Sequence, residues 1–595
     1  MKRKQHKHQW LSKGYMPYLV LAAFSLVFTG LNYVVANTSS QIYDYPFHLA
    51  RIVGLANSIS HGDWLPNLND MYNRGIGYGV PMFYGNWQFY LPAFVFLWTK
   101  VATLAFSSYV FLLTLSSSFS AYWSVKKITN STNRALLFSL VYPTLIPYYG
   151  FGMTAVVPFI PLLFYAIYKV LYLDKKNPVL LGVVIALLVQ THIISTIVLA
   201  IASGLFVLLN LKKWTLQKMI SFALSGVISI LLTLGFIFQY LEQSRSQTFF
   251  VNWKLRDFPF PTVTVMSSSN LWEIIQAYTF PLALVFLLAL ILLFRQLNQL
   301  SKQLVLVSTI LLLASSSLLP WDILRHTSLA VFQYTHRLTY FLPIFVMMAL
   351  FISGKKLVVL VLASIQVIYF ALVFPLSFLP SASNYKDSFG LVASNIEVMR
   401  GMNAKAVQVF TNPYDNEVTF DTSGDEYFNL DTNHENARNG QFNQFQYDGQ
   451  TVAVTNIHKT YNNLEFDVTL PKGVTQAEIV LPKMWYKGYA VTYSNGASGS
   501  QVSQKSQPLT AEEEKAYQEV EKPKVTSKVL YDGRGVIDVT SSGHVKVFYQ
   551  KTATQITGFV LEILAWLGLI TYSVLFTFKN RSKKSTAKTV ASTEA

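Results

Sequence analysis

Apolar runs of about 20 residues without a charge recur along this chain, each long enough to cross a hydrocarbon core of roughly 30 Å. No other feature restricts the fold as much, because a backbone inside hydrocarbon must satisfy its own hydrogen bonds and does so as helix. Of the 595 residues, 52% are hydrophobic and 13% charged, a balance unlike that of a soluble protein. The reading is a polytopic α-helical membrane protein with about 12 transmembrane helices.

Lys and Arg outnumber Asp and Glu by 47 to 30, yet their placement does not suit nucleic acid. They crowd into the N-terminal tail (KRKQHKHQWLSK), the C-terminal tail (KNRSKKSTAK) and short connections carrying Lys126-Lys127, Lys175-Lys176, Lys212-Lys213 and Lys355-Lys356. That is the positive-inside pattern, reinforced by anionic lipid headgroups, and it sets both termini in the cytoplasm. Cysteine is absent, which excludes disulfides, thiolate metal sites and cysteine nucleophiles. The first apolar run, 15–36, lacks a small-residue cleavage signature and reads as a retained span.

In chain order, a basic tail (1–14) precedes a membrane domain (15–380) whose first extracytoplasmic loop covers 37–108. Within that loop, 47–60 and 88–106 read as helices on or dipping into the membrane. Counting 88–106 as a crossing would turn every later Lys pair outward, so it is read as re-entrant or interfacial. Further spans fall at 109–125, 134–149, 154–173, 178–192, 194–211, 217–240, 274–294, 303–319, 328–352 and 356–378. From 381 to 553 the chain is polar and alternates with period two in TVAVTNI, LEFDVTL, YAVTY, VIDVT and HVKVFY. This reads as an extracytoplasmic β-sandwich-like domain with a charged helix or linker at 511–524. A last span (554–578) returns a basic tail (579–595) to the cytoplasm.

Chemistry concentrates in the first loop. In YDYPFHLAR, Asp44 follows the span exit, Pro46 can open a helix, and His48 and Arg51, three apart, share one helical face. An acid there can take a proton from an attacking hydroxyl, while His48 and Arg51 can hold a departing phosphate. The alternative is an interfacial anchor in which Asp44 caps the helix and pairs with Arg51. The Gly-rich continuation offers Arg74, Tyr78, Tyr84 and Trp87, with Tyr72 and Phe83, as a lining for sugar or headgroup; an aromatic interface belt is the plainer reading. His192, at the outer end of a span, suits a structural hydrogen bond or a place at the site. His336 and Arg337 in YTHR need a cavity, and Arg337 suits a donor phosphate. Gln243, Arg245, Lys254 and Arg256 line a later outer loop, as substrate contacts or as solvated charge. Asp63 and Asp70 leave a divalent cation possible in principle, but no spacing enforces shared coordination, so no metal ligand is assigned.

The first-loop acid, the interfacial helices and the external soluble domain resemble the C-type (GT-C) membrane glycosyltransferases. More narrowly, D-x-P-F-H-L-x-R, G-D-W-L-P, G-x-G-Y-G-x-P and F-Y resemble the bacterial membrane proteins labelled 6-pyruvoyl-tetrahydropterin synthase-related, neighbours of the YfhO-like family. LPKMWYKGYAVTYSNG and SSGHVKVFYQ are similar to the external β-domain of YfhO-like proteins. The specific motifs cover residues 43–90 and 480–550. The resemblance implies an inverting hexosyltransferase of the cell envelope with Asp44 as catalytic acid/base. Its donor would be a polyprenyl-phosphate-linked sugar, its acceptor an envelope glycan, teichoic acid or glycolipid. The pterin label implies no activity, since the three-histidine zinc cluster of soluble pterin synthases has no counterpart here. The firm acidic pair that some metal-using members carry in a later loop is also missing. The rival reading is a non-catalytic transporter or assembly factor for envelope polysaccharide; the lack of an internal repeat argues against it.

Overall fold

The computed structural model describes residues 14–39, 44–147, 149–175, 177–250, 281–316, 318–376, 409–411, 414, 418–420, 426–520 and 525–593. Tyr43, Lys254, Arg256 and the start of the expected external domain, 381–408, lie outside the described residues. The chain is mostly helical, with several apolar helices followed by a C-terminal β-sheet region.

The first helix, Met16–Ser39, packs along Ala102–Thr129. Between them, Pro46 in the first turn opens Tyr45–Ser60, as the sequence suggests. The helix expected over 88–106 is not continuous. Tyr90–Thr99 stops at Lys100, which takes the left-handed conformation (φ 55°), and a new helix runs from Ala102 to Thr129. Ten residues reach only about 15 Å, too short to cross, whereas the 28 of Ala102–Thr129 reach about 42 Å. The span expected at 109–125 therefore begins seven residues early.

Two other expected spans are interrupted. Over 217–240, the helices Leu216–Leu231 and Leu234–Ser246 meet at a 68° bend. The Glu562 carboxylate fills the break, accepting the Gly235 N–H at 2.8 Å and a bond from Gln190 Nε2. A free helix N-terminus presents unpaired N–H groups, and an anion placed there satisfies them. Over 328–352, two 3-10 turns, Ser328–Phe332 and Thr335–Thr339, precede the α-helix Leu342–Ser353. Among the described residues, four helices are long and apolar enough to cross a membrane: Ala102–Thr129, Gly152–Leu171, Thr335–Ser353 and Ala553–Phe576. The bent pair would make a fifth, and in the other apolar helices the searched stretches, such as Met16–Leu31 and Lys356–Leu372, run 10–17 residues. The expected 12 spans are not reached on this measure.

The β region holds two four-stranded sheets. One orders Gln446–Tyr447, Ala477–Met484, Arg534–Ser541 and Ser498–Gly499; the other orders Ala453–Thr460, Asn463–Thr469, Gly543–Tyr549 and Tyr489–Ser494. All pairings are antiparallel, and register follows the alternation read from sequence. Val545 faces Phe466 and Val547 faces Leu464, all four buried. The charged helix expected at 511–524 is present as Ala511–Val520.

The first loop is bolted to this region. The Met484 N–H donates to the Ile76 carbonyl at 3.1 Å, and Lys459 Nζ donates to the Gly75 carbonyl at 3.0 Å. Beneath them Lys483 and Asp70 form a buried ion pair at 2.7 Å. Burial alone would push the Asp70 carboxyl up, but Lys483 and Lys459 outweigh it and hold it below the ordinary carboxylate value. Removing one partner strands the other charge. Lys483→Met is expected to destabilise the docked loop by about 3–5 kcal/mol, and Asp70→Leu with Lys483→Met to recover most of that loss. Thermal unfolding of the three proteins side by side checks this.

Candidate functional site

Asp44 stands at the N-cap of Tyr45–Ser60, where its backbone carbonyl accepts the His48 N–H at 3.0 Å. Its side chain makes no capping bond and does not pair with Arg51. The residue as a whole is exposed, while its carboxylate has the Arg337 guanidinium and the Gly152 N–H as electrostatic neighbours. Enclosing protein pushes its pKa above the ordinary carboxylate value, and Arg337 and the Gly152 amide recover only part of that shift. The anchor alternative, cap plus Arg51 pair, is not what the chain forms.

His48 is 4% exposed, and neither ring nitrogen has a hydrogen-bond partner among the described residues. Burial, then Arg51 and His192, hold its pKa well below the usual histidine range, so the imidazole is neutral near pH 7. His192 joins it from the junction of Val179–Thr191 and Ile193–Leu208. There Nδ1 accepts the Ser195 N–H at 3.1 Å as a helix cap, which leaves the proton of the neutral ring on Nε2. The two rings meet at Gly152. A Cβ there would lie 3.2 Å from His192 Nε2 and 3.4 Å from His48 Nε2, so only glycine lets the backbone pass without displacing them.

Arg337 enters on the turn Thr335–Thr339, its guanidinium carbon 5.7 Å from the Tyr334 ring centre. Its Nε and Nη1 have no hydrogen-bond partner among the described residues. His336 leans on the same tyrosine at 5.3 Å, and no described contact brings it to Asp44 or His48.

Arg51 is 2% exposed and acts as a clamp. Nη2 donates to the Gly85 carbonyl at 3.0 Å, to Asn86 Oδ1 at 3.1 Å and to the Tyr84 carbonyl at 3.3 Å. The rings of Phe89, Tyr84 and Phe47 surround the guanidinium at 4.7, 5.1 and 5.8 Å. Gly85 is required in this loop, because a Cβ would fall 2.1 Å from the Gln190 carbonyl oxygen. The clamp brings Tyr84 within 5.6 Å of His192. Burial, then the Glu426 and Asp44 carboxylates, push the Tyr84 hydroxyl up to about 12 despite Arg51 and Arg337 nearby. Trp87 is 40% exposed, and its indole N–H donates to Thr191 Oγ1 at 3.2 Å.

Three candidates fall elsewhere. Tyr78 is fully buried, donating to the Glu426 carbonyl and stacking on Tyr72 at 5.6 Å. Arg74 lies against Gly440, and its carbonyl accepts from Asn443 at 2.7 Å. Arg245 is exposed in the last turn of Leu234–Ser246, and Gln243 bonds the Lys487 backbone from the same helix. Asp63 and Asp70 are engaged by Lys551 and Lys483, and among the described residues no group of three or more His, Cys, Asp or Glu could hold a metal ion. Sequence reasoning missed Gly152, Gln190, Glu426 and Tyr427. Nothing in the local sequence marks any of the four.

Asp44, His48, His192, Tyr84, Arg51 and Arg337 thus form one cluster: a carboxylate, neutral imidazoles and a guanidinium with open donors. Such a set can take a proton from a hydroxyl and hold an anion beside it. No protein-family model and no curated protein matches the chain. Arg51→Lys is expected to cost about 2 kcal/mol of stability, because an ammonium cannot span the loop acceptors while stacked among three rings. Thermal melting, with proteolysis near residues 84–86, checks this.

Proposed function

We propose that the chain is a multi-pass glycosyltransferase of the cell membrane, GT-C-like and YfhO-like, with cytoplasmic termini and an external β region. It would transfer a sugar from a polyprenyl-phosphate donor to an envelope glycan, teichoic acid or glycolipid. The observation that carries this reading is the Asp44 carboxylate set beside Arg337, whose donors are open, at the mouth of a buried histidine pair. Asp44 takes the proton of the acceptor hydroxyl as its oxygen attacks the anomeric carbon. The bond from that carbon to the phosphate oxygen breaks with inversion, and the phosphate leaves with the electron pair. Arg337 neutralises the leaving charge, with the His192 Nε2–H as a further donor. Arg51 commits Nη2 to the loop and holds Tyr84 in place, while its Nε and Nη1, without a hydrogen-bond partner among the described residues, keep it beside Arg337 as a donor to the phosphate.

The break between Leu216–Leu231 and Leu234–Ser246 favours a second reading, since discontinuous helices are frequent in transporters. Its outcome would be movement of an envelope polymer precursor without chemical turnover.

Asp44→Asn in proteoliposomes supplied with a lipid-linked sugar is expected to lower transfer about 10²–10⁴-fold; full transfer by this variant overturns the assignment. The rate is expected to fall as pH drops through the raised pKa of Asp44, because only the ionised carboxylate accepts the proton. Arg337→Gln removes a cation that lowers that pKa, so the acidic limb of the pH–rate profile should move to higher pH.

A further inference from the structure

The apolar stretch Ala553–Phe576 carries a single charged side chain, Glu562. A carboxylate in such a helix is costly and needs partners. It finds them at the break between Leu216–Leu231 and Leu234–Ser246. Thr233, the N-cap of the second helix, does not cap it, because its hydroxyl donates back to the Ser229 carbonyl at 2.8 Å. Glu562 Oε2 takes over that task on the Gly235 N–H, and Oε1 accepts from Gln190 Nε2. The same Gln190 amide donates to the Leu232 carbonyl at 2.9 Å, at the end of the first helix. Both sides of the break are therefore tied through one residue pair. Glycines bring the helices close enough for this: a Cβ on Gly558 would fall 3.2 Å from the Gly235 Cα.

Gln190 also opens a run of three residues that meets the loop of the candidate site. Its carbonyl oxygen lies 2.1 Å from where a Cβ on Gly85 would stand. Thr191 Oγ1 accepts the Trp87 indole N–H at 3.2 Å, and the His192 ring meets Tyr84 at 5.6 Å. Each of 190, 191 and 192 thus contacts one residue of 84–87, and the side chain of the first reaches the break. We infer that Glu562 is a positioning residue: through Gln190 it sets the 190–192 turn against the 84–87 loop, and with them His192 and Tyr84. It touches no reacting atom. The inference rests on the glycosyltransferase reading and gives the helix break a role within it. Severing the link displaces the His192 Nε2–H, a donor that acts on the departing phosphate, so kcat falls while KM holds.

The test uses the full chain in lipid nanodiscs and cuts the link from opposite sides. In Glu562→Gln the amide can serve Gly235 or Gln190 but not both, because its nitrogen only donates. Gln190→Leu removes the other amide and leaves the Gly235 cap in place. Hydrogen exchange without substrate is expected to quicken at least about 10-fold over 84–92 and 190–196 in both variants, and to stay unchanged over 102–129. Turnover is measured with polyprenyl-phosphate-linked glucose as donor and chitotetraose as acceptor. Each variant should lower kcat about 10-fold with both KM values within about twofold, and the double variant should lower it no further. Wild-type exchange over 84–92 in both variants overturns the inference, as does quickening in both that extends across 102–129. Local quickening with unchanged kcat, or losses that multiply in the double variant, also overturn it and leave the transferase reading standing. Local quickening beside a wild type that transfers nothing upholds the link and sinks the transferase reading.

Discussion

The arrangement of the site depends on a guanidinium taken out of water. Arg51 is enclosed by three aromatic rings and hydrogen-bonded to the backbone and side chain of one loop. Burying a charge without a carboxylate partner is expensive, and the acceptors on Nη2 and the ring faces offset part of that cost, Nε and Nη1 having no hydrogen-bond partner among the described residues. That requirement fixes where 84–86 lies. The same loop then leans on the carbonyl of Gln190, next to the histidine that caps Ile193–Leu208. The cation read in sequence as a ligand for phosphate is thus also the post around which the 84–86 loop is set.

What sequence could convey follows the range of the interactions. Strands were legible because alternation is local: the runs around Phe466 and Val545 carry their own inside and outside. The helix opened by Pro46 was legible for the same reason. Helix interruptions were not. Lys100 looks like any basic residue at an interface, and the break after Leu231 depends on a carboxylate from Glu562, 372 positions distant from its other partner Gln190. Composition therefore shows the apolar runs but not where each is cut.

The same division holds within the site. Asp44 and His48 come from one short motif and do meet at one place, with Arg337 and His192 brought in by chain reversal. Tyr78 and Tyr84 are six positions apart in one Gly-rich stretch, and residue type gives no means to separate them. One is sealed beneath the β region, and the other faces the histidines. The difference arises from Gly79 and Gly85, which admit the Tyr486 ring and the Gln190 carbonyl from distant parts of the chain. Close approach by backbone is a property of two surfaces, and only one of them is written locally.

The carboxylate of Glu562 completes the N-terminus of a helix that is made more than three hundred residues earlier. During synthesis the segment 234–246 leaves the ribosome with that end still lacking its anion, and it stays so until the helix Ala553–Thr593 arrives. The helix Ala553–Thr593 is thus the keystone of that joint, and a chain truncated before it would carry the joint unfinished.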